Sequence, residues 1–77
     1  MAIGIALRQF RTSRGWTQGR LAEQVGVTLN QISRYEHGRD DPSLPVLDRL
    51  LDVLEIRYED LRENRGAQVG AMLSLAA

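Results

Sequence analysis

Asn30, Ser33, Arg34 and His37 stand at i, i+3, i+4 and i+7 of one short segment, so on a helix they form a single polar stripe. These side chains suit the reading of flat edges that display hydrogen-bonding groups. An Asn amide pairs bidentately with adenine, an Arg fork with guanine, and a hydroxyl with either. Leu29 stands beside the stripe at the start of the segment, placed to touch a thymine methyl. The solvated face of any amphipathic helix has the same spacing. The stripe gains meaning only if something rigid aims it outward.

Other chemistries lack their residues. The chain has 77 residues and no cysteine, which excludes a disulfide framework and a thiolate metal site. His37 is the single histidine, so no histidine metal cluster can form. There is no phosphate-cradling glycine loop, and the scattered Ser residues and His37 have no triad context. No enzymatic activity, cofactor or metal is expected.

This length fits one domain with a modest core. No apolar run approaches the ~20 residues that would span a bilayer. The opening "MAIGIAL" has no basic region and is too short for a secretion signal. A cytoplasmic protein, associated with the nucleoid through any DNA it binds, is the simplest expectation.

Net charge is zero, but it is unevenly spread. Residues 1–39 carry six arginines (8, 11, 14, 20, 34 and 39) against Glu23 and Glu36, which gives +4. Residues 40–77 carry four arginines against eight acids, which gives −4. Such a split can present a basic face and an acidic back. Two solvated surfaces of opposite sign would give the same count.

Helical spacing recurs along the chain and strand alternation does not. In "AIGIALRQFRTSRG", Ile3, Ala6, Leu7 and Phe10 share a face and Gly15 is placed to end the helix. In "TQGRLAEQVG", Thr17 caps the start, Leu21, Ala22 and Val25 face inward, and Gly26 closes the helix. In "TLNQISRYEHG", Thr28 and Gln31 spell a capping box, Ile32 and Tyr35 point inward, and Gly38 ends the segment. In "SLPVLDRLLDVLE", Ser43 is the cap, Pro45 falls in the first turn, and Leu47, Leu50, Leu51 and Leu54 make a stripe. "YEDLREN" is a short fifth helix with Tyr58 and Leu61 inward. The fold class expected is all-α, a compact bundle of five short helices. Residues 1–65 form the domain. Residues 66–77 are an apolar tail, with Val69, Met72, Leu73 and Ala76 at helical spacing; it is either a helix for dimerisation or a partner, or a frayed end.

The second and third segments, joined at Gly26, describe a helix-turn-helix. Ala22 is small where the two helices meet, and Gly26 can take the positive φ of a sharp turn. Val27 fills the space beneath. The corner would hold the third helix outward so that its stripe enters a major groove.

The run "TQGRLAEQVGVTLNQISRYEHG", followed by "PSLPVLDRLLDVLEI", resembles the Cro/phage-repressor (XRE-type) helix-turn-helix family, with its lambda-repressor-like DNA-binding fold. The likeness covers about residues 5–63. It implies that Gln18 donates to a DNA phosphate and that Thr28 both caps helix three and touches the backbone. It implies that Leu29, Asn30 and Arg34 read bases, with Ser33 beside them, and that Arg11 and Glu36 form a structural ion pair. Arg39 is a phosphate contact by the same likeness, though Asp40 and Asp41 follow it at once and would repel phosphate. Leu29 departs from the polar residue often found at its position. Trp16 is expected in the core and His37 on the surface.

The resemblance implies a sequence-specific regulator of transcription that binds double-stranded DNA, a homodimeric repressor reading a palindrome. The alternative is an antitoxin or adaptor that chiefly binds a partner protein, a toxin or another chain, with DNA binding secondary.

Overall fold

The second, third and fourth helices begin at a Thr or Ser that the sequence offers as a cap, whereas the first begins after Ile3 with no side-chain cap. The computed structural model describes residues 3–63. It contains α1 (Gly4–Ser13), α2 (Gln18–Val25), α3 (Leu29–Glu36), α4 (Leu44–Leu54) and α5 (Tyr58–Arg62), with no strand among the described residues. The expected tail helix lies outside them.

Thr17 caps α2 by accepting the Arg20 N–H at 3.0 Å. Thr28 caps α3 by accepting the Gln31 N–H at 3.1 Å, while the Gln31 side chain accepts the Thr28 N–H at 2.8 Å. That reciprocal box satisfies two of the helix's orphan donors. Ser43 occupies the cap position of α4, but its side chain makes no capping bond, contrary to expectation. A cap hydroxyl normally accepts from the second or third helical N–H. Here the second position, Pro45, has none, whereas the third, Val46, keeps its N–H, so the proline removes one of the two donors and not both.

The α2–α3 corner is built on one carbonyl. Gly26 takes φ 83°, and both its N–H and that of Val27 donate to Ala22 O, at 2.8 and 3.1 Å. Three residues therefore reverse the chain and deliver Thr28 to its capping position. Leu21, Ala22 and Val25 of α2 and Ile32 of α3 are buried inside the angle.

The core draws on every helix. Ile3, Ala6, Leu7 and Phe10 bury the inner edge of α1, Leu47, Leu50 and Leu54 that of α4, and Leu61 that of α5. Each fully buried aliphatic contributes ~1.5–3 kcal/mol before entropy is counted. Leu51 and Tyr58 are only half-buried at the core's margin, as is Trp16. Trp16 packs against the core on one side and carries the Arg20 guanidinium over its ring, 4.8 Å from the centroid.

Two features of the frame are unmarked in the sequence. The start of α1 crosses the end of α3 at Gly4, where a Cβ would lie 2.5 Å from the carbonyl oxygens of both Tyr35 and Glu36. The end of α4 turns on Glu55, a non-glycine residue at φ 56° and ψ 46°. Arg14 reaches that end and donates to the carbonyl of Leu54 and, at 2.9 Å, to that of Phe10.

Candidate nucleic-acid interface

A buried ion pair sets the pose of α3. Arg11 Nε donates to Glu36 Oε2 at 2.6 Å and Arg11 Nη2 to Glu36 Oε1 at 3.0 Å, a two-pronged match of guanidinium and carboxylate. Both residues are buried, and Arg11 Nη1 also donates to the Trp16 carbonyl at 2.7 Å. One arginine thus links α1, the α1–α2 turn and the last residue of α3. Gln18 adds α2 by donating from Nε2 to Glu36 Oε1 at 3.0 Å. The inward bond occupies one hydrogen of the Gln18 amide, and its second remains for an outside acceptor.

With α3 pinned in this way, its outer face is open. Asn30, Ser33, Arg34, His37 and Arg39 line one surface depression. A second depression is lined by Arg8, Arg11, Gln18, Glu36 and His37. His37 borders both. Its Nδ1 lies 2.8 Å from the Ser33 carbonyl, which can only accept, so Nδ1 is the donor of that bond. Leu29 is 55% exposed and leans towards α2: a Cβ on Gly19 would lie 3.6 Å from its Cδ1. Thr28 lies at the α3 start with its hydroxyl engaged by Gln31 on both sides, accepting from N and donating to Oε1 at 3.2 Å.

Arg34 does not project alone. Its Nε donates to Asp40 Oδ2 at 2.5 Å and its Nη2 to Asp40 Oδ1 at 3.3 Å. The Asp40 carboxyl is held below its ordinary value, chiefly by that hydrogen bond, with desolvation opposing and charge attraction assisting. The sequence places Asp40 beside Arg39 as a repelling charge; in the fold it sits against Arg34.

The structure therefore gathers Asn30, Ser33, Arg34 and Arg39 on one face, with Leu29 and Thr28 at its N-terminal end and Gln18 turned partly inward. It adds Arg8, which sequence reasoning passed over although it stands three residues from Arg11 on the same face of α1. The basic half of the chain is less of a patch than its count suggests. Arg14 serves the α4 end, Arg20 lies on Trp16, and Arg11 is buried against Glu36.

The helix-turn-helix geometry has its counterpart among known sequences. A family model for the helix-turn-helix domain matches residues 2–64, and the chain belongs to that family. It is 34% identical over 66 residues to the SPbeta prophage-derived HTH-type transcriptional regulator YonR of Bacillus subtilis, covering 86% of this chain and 61% of the relative. It is 35% identical over 51 residues to the antitoxin HipB of Escherichia coli, covering 66% of this chain and 54% of that one. The chain thus spans little more than half the length of these two relatives. Among solved structures, the clp gene regulator ClgR from Corynebacterium glutamicum superposes with a TM-score of 0.77 at 32% identity, over 97% of this chain and 83% of that one.

Proposed function

We propose that this chain is a sequence-specific, double-stranded-DNA-binding regulator of transcription, acting as a homodimeric repressor whose α3 enters the major groove of a palindromic operator. The reading rests on one observation: Asn30, Ser33, Arg34, His37 and Arg39 line a single open depression on the outer face of α3. Asn30 and Arg34 carry the two side-chain types that read adenine and guanine bidentately, with Ser33 and Leu29 flanking them. Gln18, Thr28, Arg39 and Arg8 surround them as phosphate contacts that fix register. The names of YonR and ClgR as regulators support the same reading.

Dimerisation follows from reach. One short helix spans only a few base pairs, so a lone domain discriminates weakly. A twofold pair would set two α3 helices about 34 Å apart, one turn of DNA.

Selection from random duplexes tests this function. The wild-type chain should enrich a related set of sequences arranged as inverted half-sites. Arg34→Ala and Asn30→Ala should each change which bases are enriched at one position per half-site. Retention of the same sequences by both variants would overturn the assignment of α3 as the reader.

The similarity to the antitoxin HipB favours a second reading, in which the chain mainly binds a partner protein and contacts DNA secondarily. Purification from the native host without DNA separates the two. A stable complex with a different protein supports the second reading, and a homodimer alone supports the first.

A further inference from the structure

We propose that Asp40 is a specificity-determining positioning residue, which holds the Arg34 guanidinium with its guanine-matching edge outward and weakens its attraction to phosphate. The inference rests on the DNA-reading function proposed above for α3.

A guanidinium offers two forked edges. One is formed by Nε–H with a hydrogen of Nη2, the other by Nη1 with the second hydrogen of Nη2. Asp40 occupies the first, with Oδ2 on Nε at 2.5 Å and Oδ1 on Nη2 at 3.3 Å. The second edge, at the tip of the side chain, is the one left for another acceptor pair. Its two parallel N–H groups match guanine O6 and N7. Arg34 also borders the depression shared with Asn30 and Ser33, which puts the residue on the reading face.

The backbone brings Asp40 to this place independently of the ion pair. Gly38 reverses the chain at φ 70°, and the N–H groups of Arg39 and Asp40 then both point to the Arg34 carbonyl, at 2.9 and 3.4 Å. The carboxylate is thus returned along the side of the arginine it binds. Neither side chain is buried, with 43% of Arg34 and 47% of Asp40 exposed. A pair this exposed adds little to folding. Its consequence lies in binding, in two ways. Arg34 is already ordered before it meets a base, which reduces the rotamer entropy lost on contact. The carboxylate beside Arg34 also cancels its charge, which weakens the pull on a charged phosphate more than hydrogen bonding to a neutral guanine edge. Both effects widen the gap between specific and non-specific binding.

The test compares affinities for a duplex selected by the wild-type chain and for its scrambled counterpart, over a series of salt concentrations. In Asp40→Ala, scrambled DNA should bind several-fold tighter, with a salt slope steeper by about one phosphate contact. The ratio of selected to scrambled affinity should fall roughly tenfold, with the loss centred on a guanine. Asp40→Glu should recover part of the ratio. In Arg34→Lys, which has no fork to share, adding Asp40→Ala should leave the ratio within about twofold. Thermal melting should be unchanged throughout, which separates positioning from folding. If Asp40→Ala tightens both duplexes equally, Asp40 is only a repelling charge and the inference fails. If the wild-type chain itself prefers no sequence, the proposed function fails and takes the inference with it.

Discussion

Arg11 and Glu36, 25 residues apart in sequence, meet in the interior through two hydrogen bonds of 2.6 and 3.0 Å. The pair does not merely add a contact. It fixes the end of α3 against α1, and through Gln18 against α2. Breaking one side leaves a buried charge without its counterpart, which commonly costs ~3–5 kcal/mol. Glu36→Ala should therefore destabilise the domain by about that amount in urea unfolding. Replacing both residues by apolar ones of similar volume should cost much less. A double-variant loss equal to the sum of the two single losses would show that the pair has no such coupling.

Gly4 should tolerate no side chain. Its Cβ would lie 2.5 Å from two backbone carbonyl oxygens of α3, and neither can rotate away. Gly4→Ala should cost about 1–3 kcal/mol or more, although alanine is the better helix former. A thermal melt measures it; an unchanged or raised midpoint would contradict the close crossing.

The strained end of α4 offers the opposite change. Glu55 holds φ 56°, a region that disfavours any residue with a Cβ. Glu55→Gly should stabilise by about 0.5–1 kcal/mol, after the greater flexibility of glycine in the unfolded chain is counted. The melting midpoint should rise by a few degrees.

Much of this frame is legible in the sequence because its causes are local. Thr17, Thr28 and Gln31 announce helix starts through bonds that reach only three residues ahead. Gly26 marks the corner, and the leucines of α4 show its inner face by spacing alone. Gly4 and Asp40 are illegible because their partners lie beyond the helical turn that spacing arguments cover, and Glu55 for a different reason. Gly4 answers to the end of α3, 31 residues away. Glu55 takes a glycine's conformation with no glycine to signal it. Asp40 meets Arg34 across a chain reversal six residues on, so the sequence suggests a charge opposing phosphate where the fold makes an ion pair. Ser43 occupies the cap position that the sequence marks, yet its hydroxyl makes no capping bond.

Acid should release Arg34. The folded Asp40 carboxyl sits below its ordinary value, so the pair is complete above the usual carboxylate range and is lost as pH falls through the folded value. The sign is that of any carboxylate stabilised by a cation. In a proton NMR titration, the Arg34 Nε–H signal should hold steady at neutral pH and shift upon acidification together with the Asp40 side chain. In Asp40→Ala that shift should vanish. A shift of equal size in the variant would assign the transition to another group.

The most direct measurement is a titration of the isotopically labelled chain with double-stranded oligonucleotides, followed through its backbone amide spectrum. The account predicts perturbations concentrated in residues 28–37, extending to Gln18 and Arg39 and sparing the buried leucines of α4. A spectrum that changes elsewhere, or nowhere, while residues 28–37 stay fixed would contradict the claim that α3 faces DNA.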